Sequence, residues 1–267
     1  MRVLFIGDVF GRPGRKALES QLGYLKSFYG ADFCIANAEN AAAGKGITYD
    51  VAQELYAAGV DIITLGNHAW DNKDVFSFID DDRRIVRAYN YPPGVPGRGF
   101  TTFETPLGTK ITIAQIFARL FMLNVDCPFR GADNLLRETG DDHILILDLH
   151  GEATSEKVAL GWYLDGRVTA VIGTHTHIPT ADERILPKGT AYITDVGMTG
   201  PYDSVIGMEI ETATERFLTT LKKPFKVATE NVKISGVLIT VDDLTKKAVS
   251  IERLLVDVAD NSPANVS

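Results

Sequence analysis

Short apolar runs alternate with amphipathic segments along the first two-thirds of this chain. The runs cover residues 2–7, 32–37, 60–65, 143–149 and 168–172. A run of four to eight apolar residues that stops at a glycine or a polar cluster is typical of a buried strand. Between the first two runs, apolar residues recur at three- and four-residue spacing from Leu18 to Phe28, behind Pro13, which predicts a helix.

The other segments complete an α/β pattern. Further helices are predicted near Thr48, through Asp74–Ile79, over 153–164 and over Glu209–Leu221, and loops over Tyr89–Gly99 and Leu120–Arg130. A hairpin is predicted over 101–117, and an antiparallel pair over 232–241 and 248–256. We find no repeat and no linker, so one domain over 1–256 with mixed sheets, a second sheet packing on the first, fits best. The tail 257–267 lacks apolar periodicity, and we expect it to be disordered.

The composition of this 267-residue chain limits its cellular location and the kinds of molecule that it binds. No apolar stretch approaches the ~20 residues of a membrane helix, and the N-terminal run is expected to be a core strand and not a signal sequence. The two cysteines, Cys34 and Cys127, form no paired motif, which favours a reducing cytoplasmic location. A net charge of −8 argues against stable DNA binding, whereas bound cations would still admit a phosphate-bearing substrate.

Polar side chains stand at the ends of five predicted strands. They are Asp8, Glu39, Asn40, Asn67, His68, His150, His175 and His177. Ligands of open α/β sheets bind beyond the carboxyl ends of the strands, so we expect these side chains to share one rim. Two carboxylates, two amides and four imidazoles together indicate a metal site, with two ions, and hydrolysis of a phosphate ester. His143 begins its strand, so we place it at the opposite rim without a role.

The two histidines of the His-Thr-His segment are candidate metal ligands. Residues two apart on an extended backbone face the same way, so His175 and His177 would address one cavity. The alternative is a pair of surface loop histidines. The neighbouring strand ends, which carry similar ligands, favour the metal.

Asn67 and His68 are adjacent and must lie on a turn if both are to act. The amide oxygen of Asn67 would bind a metal, while His68 would face the substrate and protonate the leaving oxygen or stabilise developing charge. A competing interpretation makes His68 a cap for a helix that starts at Trp70–Asp71.

Asp8 and Glu39 end otherwise apolar runs, where a buried carboxylate needs a cation or several donors. Each is also a candidate helix cap. The neighbouring imidazoles favour metal, with Glu39 as the bridging ligand between two ions about 3.5–4 Å apart. Mixed oxygen and imidazole ligands suit Mn, Fe, Zn, Co or Ni better than Ca.

Several motifs resemble those of the calcineurin-like metallophosphoesterases. They are Gly7-Asp8, Gly66-Asn67-His68, the strand-end His150 and Gly173–His177. The resemblance implies an α/β, four-layer α/β/β/α sandwich with mixed β-sheets and a dinuclear site. Two positions depart from the usual pattern, since Phe10 replaces a histidine and Glu39 an aspartate. The YmdB-like branch of this family shows the same two departures. The segments 39–46, 148–157, 173–182 and 194–207 also resemble that branch, and the similarity spans residues 1–255.

This resemblance implies roles for individual residues. Asp8, Glu39, His177 and Asn40 would hold one metal; Glu39, Asn67, His150 and His175 would hold the other; His68 would be the catalytic acid. The cofactors would be two divalent or transition metal ions, Fe or Mn first, with Zn, Co, Ni or Mg as alternatives. The reaction would be hydrolysis of small cyclic nucleotides, 2′,3′-cyclic and also 3′,5′-cyclic monophosphates, by a metal-activated hydroxide. A link to RNA metabolism is implied as well.

Two loops are candidate substrate contacts. Arg119 and Phe121 offer a phosphate partner and a stacking surface, and Met198 and Tyr202 lie in a segment, Gly197–Gly207, that we interpret as a lid. Ordinary loop packing remains the alternative for both.

Rival functions also stay open, namely a phosphomonoesterase or nucleotidase and a metal-bound nucleotide-sensing regulator with little turnover. A homo-oligomer is an open alternative to a monomer.

Overall fold

The computed structural model describes residues 1–105, 108–141, 143–221, 224 and 226–258. Its helices are α1 (Gly11–Tyr29), α2 (Tyr49–Ala58), α3 (Pro128–Thr139), α4 (Thr154–Leu164) and α5 (Ile210–Thr219), with a 3-10 helix over Lys73–Ser77. Strands of the first half are β1 (Arg2–Ile6), β2 (Asp8–Val9), β3 (Phe33–Asn37), β4 (Ile62–Thr64), β5 (Ile85–Val86), β6 (Phe100–Glu104) and β7 (Lys110–Phe117). Those of the second half are β8 (Ile144–His150), β9 (Ala170–Thr174), β10 (Arg184–Ile185), β11 (Ala191–Ile193), β12 (Met198–Pro201), β13 (Val232–Val241) and β14 (Ala248–Asp257).

The strands form two mixed sheets. The first has the order β2-β12-β13-β1-β3-β4-β5, with β14 also paired to β13. In it β1, β3, β4 and β5 are parallel, while β13 runs antiparallel to both β1 and β14. The second sheet has the order β10-β11-β9-β8-β7-β6, with a parallel centre and antiparallel edge strands.

Three buried clusters define the layers. Apolar side chains from the inner faces of both sheets, such as Phe5 and Ile35 of the first and Ile113 and Ile146 of the second, pack into one cluster. A second cluster lies between the first sheet and helices α1 and α2, and a third between the second sheet and helices α3 and α4. This is the expected α/β/β/α sandwich, and burial of these side chains is its main source of stability.

The predicted elements agree with the structure in most places. The five apolar runs correspond to β1, β3, β4, β8 and β9, and the hairpin and the antiparallel pair are also confirmed. Helix α3 begins at Pro128, inside a segment interpreted as irregular, because proline at the first turn reads as a loop signal yet suits a helix start. The helix expected at Asp74–Ile79 is a 3-10 helix.

The segment interpreted as a lid, Gly197–Gly207, is not a free loop along its first half, because Met198–Pro201 form the buried strand β12. Its backbone is held by pairing with β2 on one side and β13 on the other.

The last strand ends at Asp257, and residues 259–267 of the expected tail lie outside the described residues. Within the described residues, no helix is long and apolar enough to span a membrane.

Candidate metal centre

The polar residues predicted at strand ends lie together at one rim of the sandwich. Asp8 lies in β2, and His150 is the last residue of β8. The others follow β3, β4 and β9, whose carboxyl ends point to the same rim; they are Glu39, Asn40, Asn67, His68, His175 and His177. Contacts join residues from both sheets, so the site is built across the sandwich.

Asp8, Asn40 and His177 form a first group. His177 Nε2 lies 3.3 Å from Asn40 Oδ1 and 3.8 Å from Asp8 Oδ1. Asp8 is fully buried, and its Oδ1 has no hydrogen-bond partner among the described residues. Burial raises the pKa of Asp8 to about 7, against the opposing charge of His177. A buried carboxylate oxygen without a donor fits a cation ligand.

Hydrogen bonds fix how the first group presents its lone pairs. His177 Nδ1 lies 2.9 Å from the carbonyl oxygen of Ile206, and a carbonyl only accepts, so Nδ1 carries a proton. Nε2 is the ring nitrogen that faces Asn40 Oδ1 and is free to bind a metal once it is deprotonated. Asn40 in turn donates its Nδ2 to the carbonyl of Gly44 at 3.1 Å, which fixes the direction of its oxygen. Either a proton or a metal ion must lie between Nε2 and this oxygen, because two facing lone pairs repel.

Glu39, Asn67, His150 and His175 form a second group. His150 Nε2 lies 3.0 Å from Asn67 Oδ1, 3.1 Å from His175 Nδ1 and 3.2 Å from Glu39 Oε1. Ligand atoms of Glu39, His150 and His175 all lie within 4.8 Å of one another. Four ligand atoms thus converge on one small volume, as a transition-metal position requires.

A buried hydroxyl and carboxylate orient His150. Thr174 Oγ1 donates to Asp148 Oδ1 at 2.6 Å and lies 2.9 Å from His150 Nδ1. Because that hydroxyl proton is committed to Asp148, the threonine oxygen accepts from His150 Nδ1–H. The Nε2 atom is thereby directed at the second group. Metal-bound histidines typically donate their other ring nitrogen in this way.

The charges of the site favour a cation. Burial alone would raise the pKa of Glu39, but the neighbouring His150 and His68 outweigh it and lower that pKa to about 2. For His150, burial lowers the pKa most, but Glu39, Asp8 and Asp148 together outweigh it and raise the pKa to about 9. A metal ion bound at Nε2 would take the place of that proton. For His175, burial and the charge of His150 lower the pKa to about 3. Glu39 is thus held as an anion and His175 as a neutral ligand.

Glu39 is also positioned by the turn that follows β4. Its Oε2 accepts a hydrogen bond from the backbone N–H of His68 at 2.7 Å. A Cβ added to Gly66 would lie 2.1 Å from that oxygen and 2.4 Å from His150 Cε1. Only glycine therefore leaves room for the two ligands to meet beneath this turn.

His68 lies on the turn that its role requires, and it is about one-quarter exposed. Its Nδ1 lies 2.8 Å from Asp71 Oδ2. The carboxylate accepts from Nδ1–H and leaves Nε2 for a substrate atom. This geometry suits proton transfer better than helix capping, because the side chain bonds to Asp71 and not to a helix N-terminus.

The backbone argument for the His-Thr-His segment was wrong, although both rings reach the site. His175 and His177 have φ angles of 100° and 66°, in the left-handed region and not in an extended strand. They reach different groups because the chain turns directly after β9. Phe10, at the position of the missing histidine, packs its ring edge against His177, with ring centroids 5.4 Å apart.

The candidate substrate residues have different surroundings. Phe121 is 89% exposed at a φ of 63°, and Arg119 is exposed, its backbone N–H bonded to Glu156. Their loop is joined to the site by the bond from Ala118 N–H to the carbonyl of His150. Met198 is buried in β12 beside Asp8. Tyr202 is partly buried and donates to the carbonyl of Met198 at 3.1 Å.

Sequence reasoning missed the residues that support the ligands. Asp148 accepts from side chains of both sheets: Asn37, Thr64, Gln115 and Thr174. Its signal was a carboxylate two residues before His150 on the same strand, and hence on the same face. Lys157 was missed too, and its signal was a charged residue on the apolar stripe that it shares with Leu160 and Leu164 of α4.

Two facing mixed sheets with carboxylates, amides and imidazoles gathered at their strand ends define a protein of the metallophosphoesterase type. The chain belongs to the YmdB-like protein family, whose model matches residues 4–254. This confirms the family suggested by the motifs.

Three similar proteins extend the comparison. A Bacillus subtilis (strain 168) protein named 2′,3′-cyclic-nucleotide 2′-phosphodiesterase is 52% identical over 258 residues, covering 96% of this chain and 97% of its own. A crystal structure of a hypothetical protein from Thermus thermophilus superposes with a TM-score of 0.92 at 45% identity, covering 97% of this chain and 100% of that chain. That of a novel phosphatase from Mycoplasma pneumoniae superposes with a TM-score of 0.92 at 38% identity, covering 98% and 95%. The expected class, a phosphoric ester hydrolase, is confirmed by these relatives.

Proposed function

We propose that this protein is a dinuclear metal-dependent phosphodiesterase that hydrolyses 2′,3′-cyclic nucleotides. The observation that carries the proposal is the convergence of ligand atoms at the buried rim. Asp8 Oδ1, which has no hydrogen-bond partner among the described residues, lies beside His177 Nε2 and Asn40 Oδ1. Oxygen and nitrogen atoms of Asn67, Glu39 and His175 surround His150 Nε2. The substrate class comes from the Bacillus subtilis relative, whose name specifies a 2′,3′-cyclic nucleotide. Fe or Mn is the proposed metal, since the ligands are oxygen and imidazole.

The proposed division of labour follows from the two groups. Asp8, Asn40 and His177 would hold one ion, and Asn67, His150 and His175 would hold the other, with Glu39 available to both. Bound ions would neutralise the phosphate and lower the pKa of a water molecule. His68, oriented by Asp71, gives a proton to the leaving sugar oxygen.

The loop that carries Arg119 and Phe121 is the proposed contact for the nucleoside. Phe121 presents an exposed ring on which a base can stack. Cleavage at the 2′-oxygen would add water across that P–O bond and leave a nucleoside 3′-monophosphate. We extend the proposal to 3′,5′-cyclic monophosphates only as slower substrates, because their six-membered phosphate ring lacks the strain of the five-membered one.

A metal analysis combined with a substrate screen tests this proposal. Purified protein should contain about two transition-metal ions per chain, and chelation should abolish hydrolysis while added Mn²⁺ restores it. With Mn²⁺ present, 2′,3′-cyclic AMP should give 3′-AMP, and 3′,5′-cyclic AMP should react more slowly. Asp8→Ala and Glu39→Ala should lose metal and activity together. Hydrolysis at an undiminished rate after verified metal removal would contradict the proposal.

The phosphomonoesterase alternative has its own support, because the Mycoplasma pneumoniae structure is that of a phosphatase. Comparing bis-p-nitrophenyl phosphate with p-nitrophenyl phosphate separates the two, since faster cleavage of the monoester would overturn the diesterase assignment. A sensing regulator would bind a cyclic nucleotide tightly and release no product even with Mn²⁺ present.

A further inference from the structure

A buried ion pair lies directly behind the His-Thr-His turn. Lys157 of α4 and Asp195, which lies between β11 and β12, approach to 2.8 Å, and each side chain is about 1% exposed. Removing two charges from water is costly, and a hydrophobic pair of similar size is often equally stable. The position of this pair therefore calls for an explanation beyond stability.

The ion pair contacts the peptide groups on both sides of His175. Lys157 Nζ donates to the carbonyl of Thr174 at 2.8 Å, and Asp195 Oδ2 accepts from the backbone N–H of Thr176 at 3.0 Å. His175 itself has a φ of 100°, a conformation that non-glycine residues rarely adopt. Such strain persists only where the surroundings determine the backbone fully. The ion pair holds the backbone in place on both sides of His175.

The same carboxylate also reaches the first group of ligands. Asp195 Oδ1 accepts from the backbone N–H of Gly197 at 2.8 Å, and the carbonyl of Gly197 accepts from the N–H of Asp8 at 3.1 Å. His177, two residues beyond His175, belongs to this first group as well. One ion pair is thus connected to ligands of both groups.

We propose that Lys157 is a positioning residue that, with Asp195, holds the ligands of both metal positions in register. This inference rests on the metal positions of the proposed function. Without Lys157, the turn would lose its tether at Thr174, and Asp195 would be left buried without a cation. The backbone that carries His175 and His177 would then move as one unit. The affinity for metal ions would therefore fall at both positions and not at one.

Calorimetric Mn²⁺ titration of metal-depleted protein tests the proposal. Lys157→Met leaves Asp195 uncompensated and is liable to unfold, so the main variant combines Lys157→Met with Asp195→Asn, which removes both charges at nearly constant shape. Lys26→Met is the matched control. Lys26 Nζ also bonds to a carbonyl, that of Gly59 at 2.9 Å, and to a carboxylate, that of Asp61 at 3.0 Å, away from the site.

We expect the double variant to bind Mn²⁺ about 10- to 100-fold more weakly at both positions, the range typical of outer-shell changes. Excess Mn²⁺ should restore kcat at an unchanged KM, and Lys26→Met should bind as wild type does. Wild-type Mn²⁺ affinity in the folded double variant, or a shift at one position only, would overturn the inference while leaving the proposed function intact. Failure of the wild-type protein to bind Mn²⁺ would overturn both.

Discussion

Replacing Gly66 by alanine tests the geometry of the candidate metal centre with a single added methyl group. The backbone at Gly66 is not in the left-handed region, so alanine avoids the strain that a positive φ would impose. The added Cβ would instead lie 2.1 Å from Glu39 Oε2, 2.3 Å from Glu39 Cδ and 2.4 Å from His150 Cε1. Its collisions are with two proposed ligands.

The size of the effect follows from these distances. Non-bonded carbon atoms pack at about 3.5 Å, so Glu39, His150 or the turn itself must retreat by about 1 Å. A displacement of 1 Å at a reacting centre can cost about 100-fold in rate. Overpacking of this kind costs about 1–3 kcal/mol in folding free energy, which a domain of this size tolerates.

The assay compares metal content, kcat and the thermal midpoint of Gly66→Ala with those of Gly23→Ala. A Cβ at Gly23, on an exposed face of α1, would meet nothing within 4 Å. That control should gain about 0.5–1 kcal/mol in stability with unchanged activity. We expect Gly66→Ala to stay folded, to lose metal from the second group and to lose about 100-fold or more in kcat. Full metal content with full activity in Gly66→Ala would refute the placement of this group.

Three other predictions follow from single side chains. Asn40→Ala should remove one of two bound metals by elemental analysis, because the amide oxygen faces only the first group; two metals retained would exclude Asn40 as a ligand. His68→Ala should keep both metals and lose about 10²–10⁴-fold in kcat, with Asp71→Asn losing less; an unchanged kcat would remove His68 from the mechanism. Burial raises the pKa of the Cys34 thiol to about 12, so at pH 8 iodoacetamide should label the half-buried Cys127 first, and equal labelling rates would contradict this.

The fold was largely predictable because its central strands are buried on both faces. Such strands are continuous apolar runs, and β1, β3 and β8 could be located from that signal alone. Helix α3 was missed because Pro128 stands at its first turn, where the same residue signals either a loop or a helix start. The burial of β12 was missed because its sequence contains glycine and proline, and its strand conformation is imposed by pairing with β2 and β13.

The gathering of the candidate residues at one rim was predictable, and the local backbone geometry was less so. Strand ends placed Asp8, Glu39 and His150 correctly, since parallel strands deliver their carboxyl ends to one rim. The left-handed turn at His175 could not be foreseen, because the contacts around it, such as the bond from Lys157 to the Thr174 carbonyl, come from another element of the chain. Local pattern does not report such long-range contacts.

The charges of the site lead to a last prediction about substrate binding. The two ligand groups contribute the carboxylates of Asp8 and Glu39, and the chain carries a net charge of −8. A phosphodiester anion would be repelled by this rim unless cations were bound to it. Metal removal should therefore weaken substrate binding itself and not only turnover. Equilibrium dialysis of a slowly hydrolysed 2′,3′-cyclic phosphorothioate analogue against the His68→Ala protein, with and without Mn²⁺, measures this directly. Equal affinity of the metal-free and Mn²⁺-loaded protein would show that other residues, such as Arg119, bind the phosphate instead.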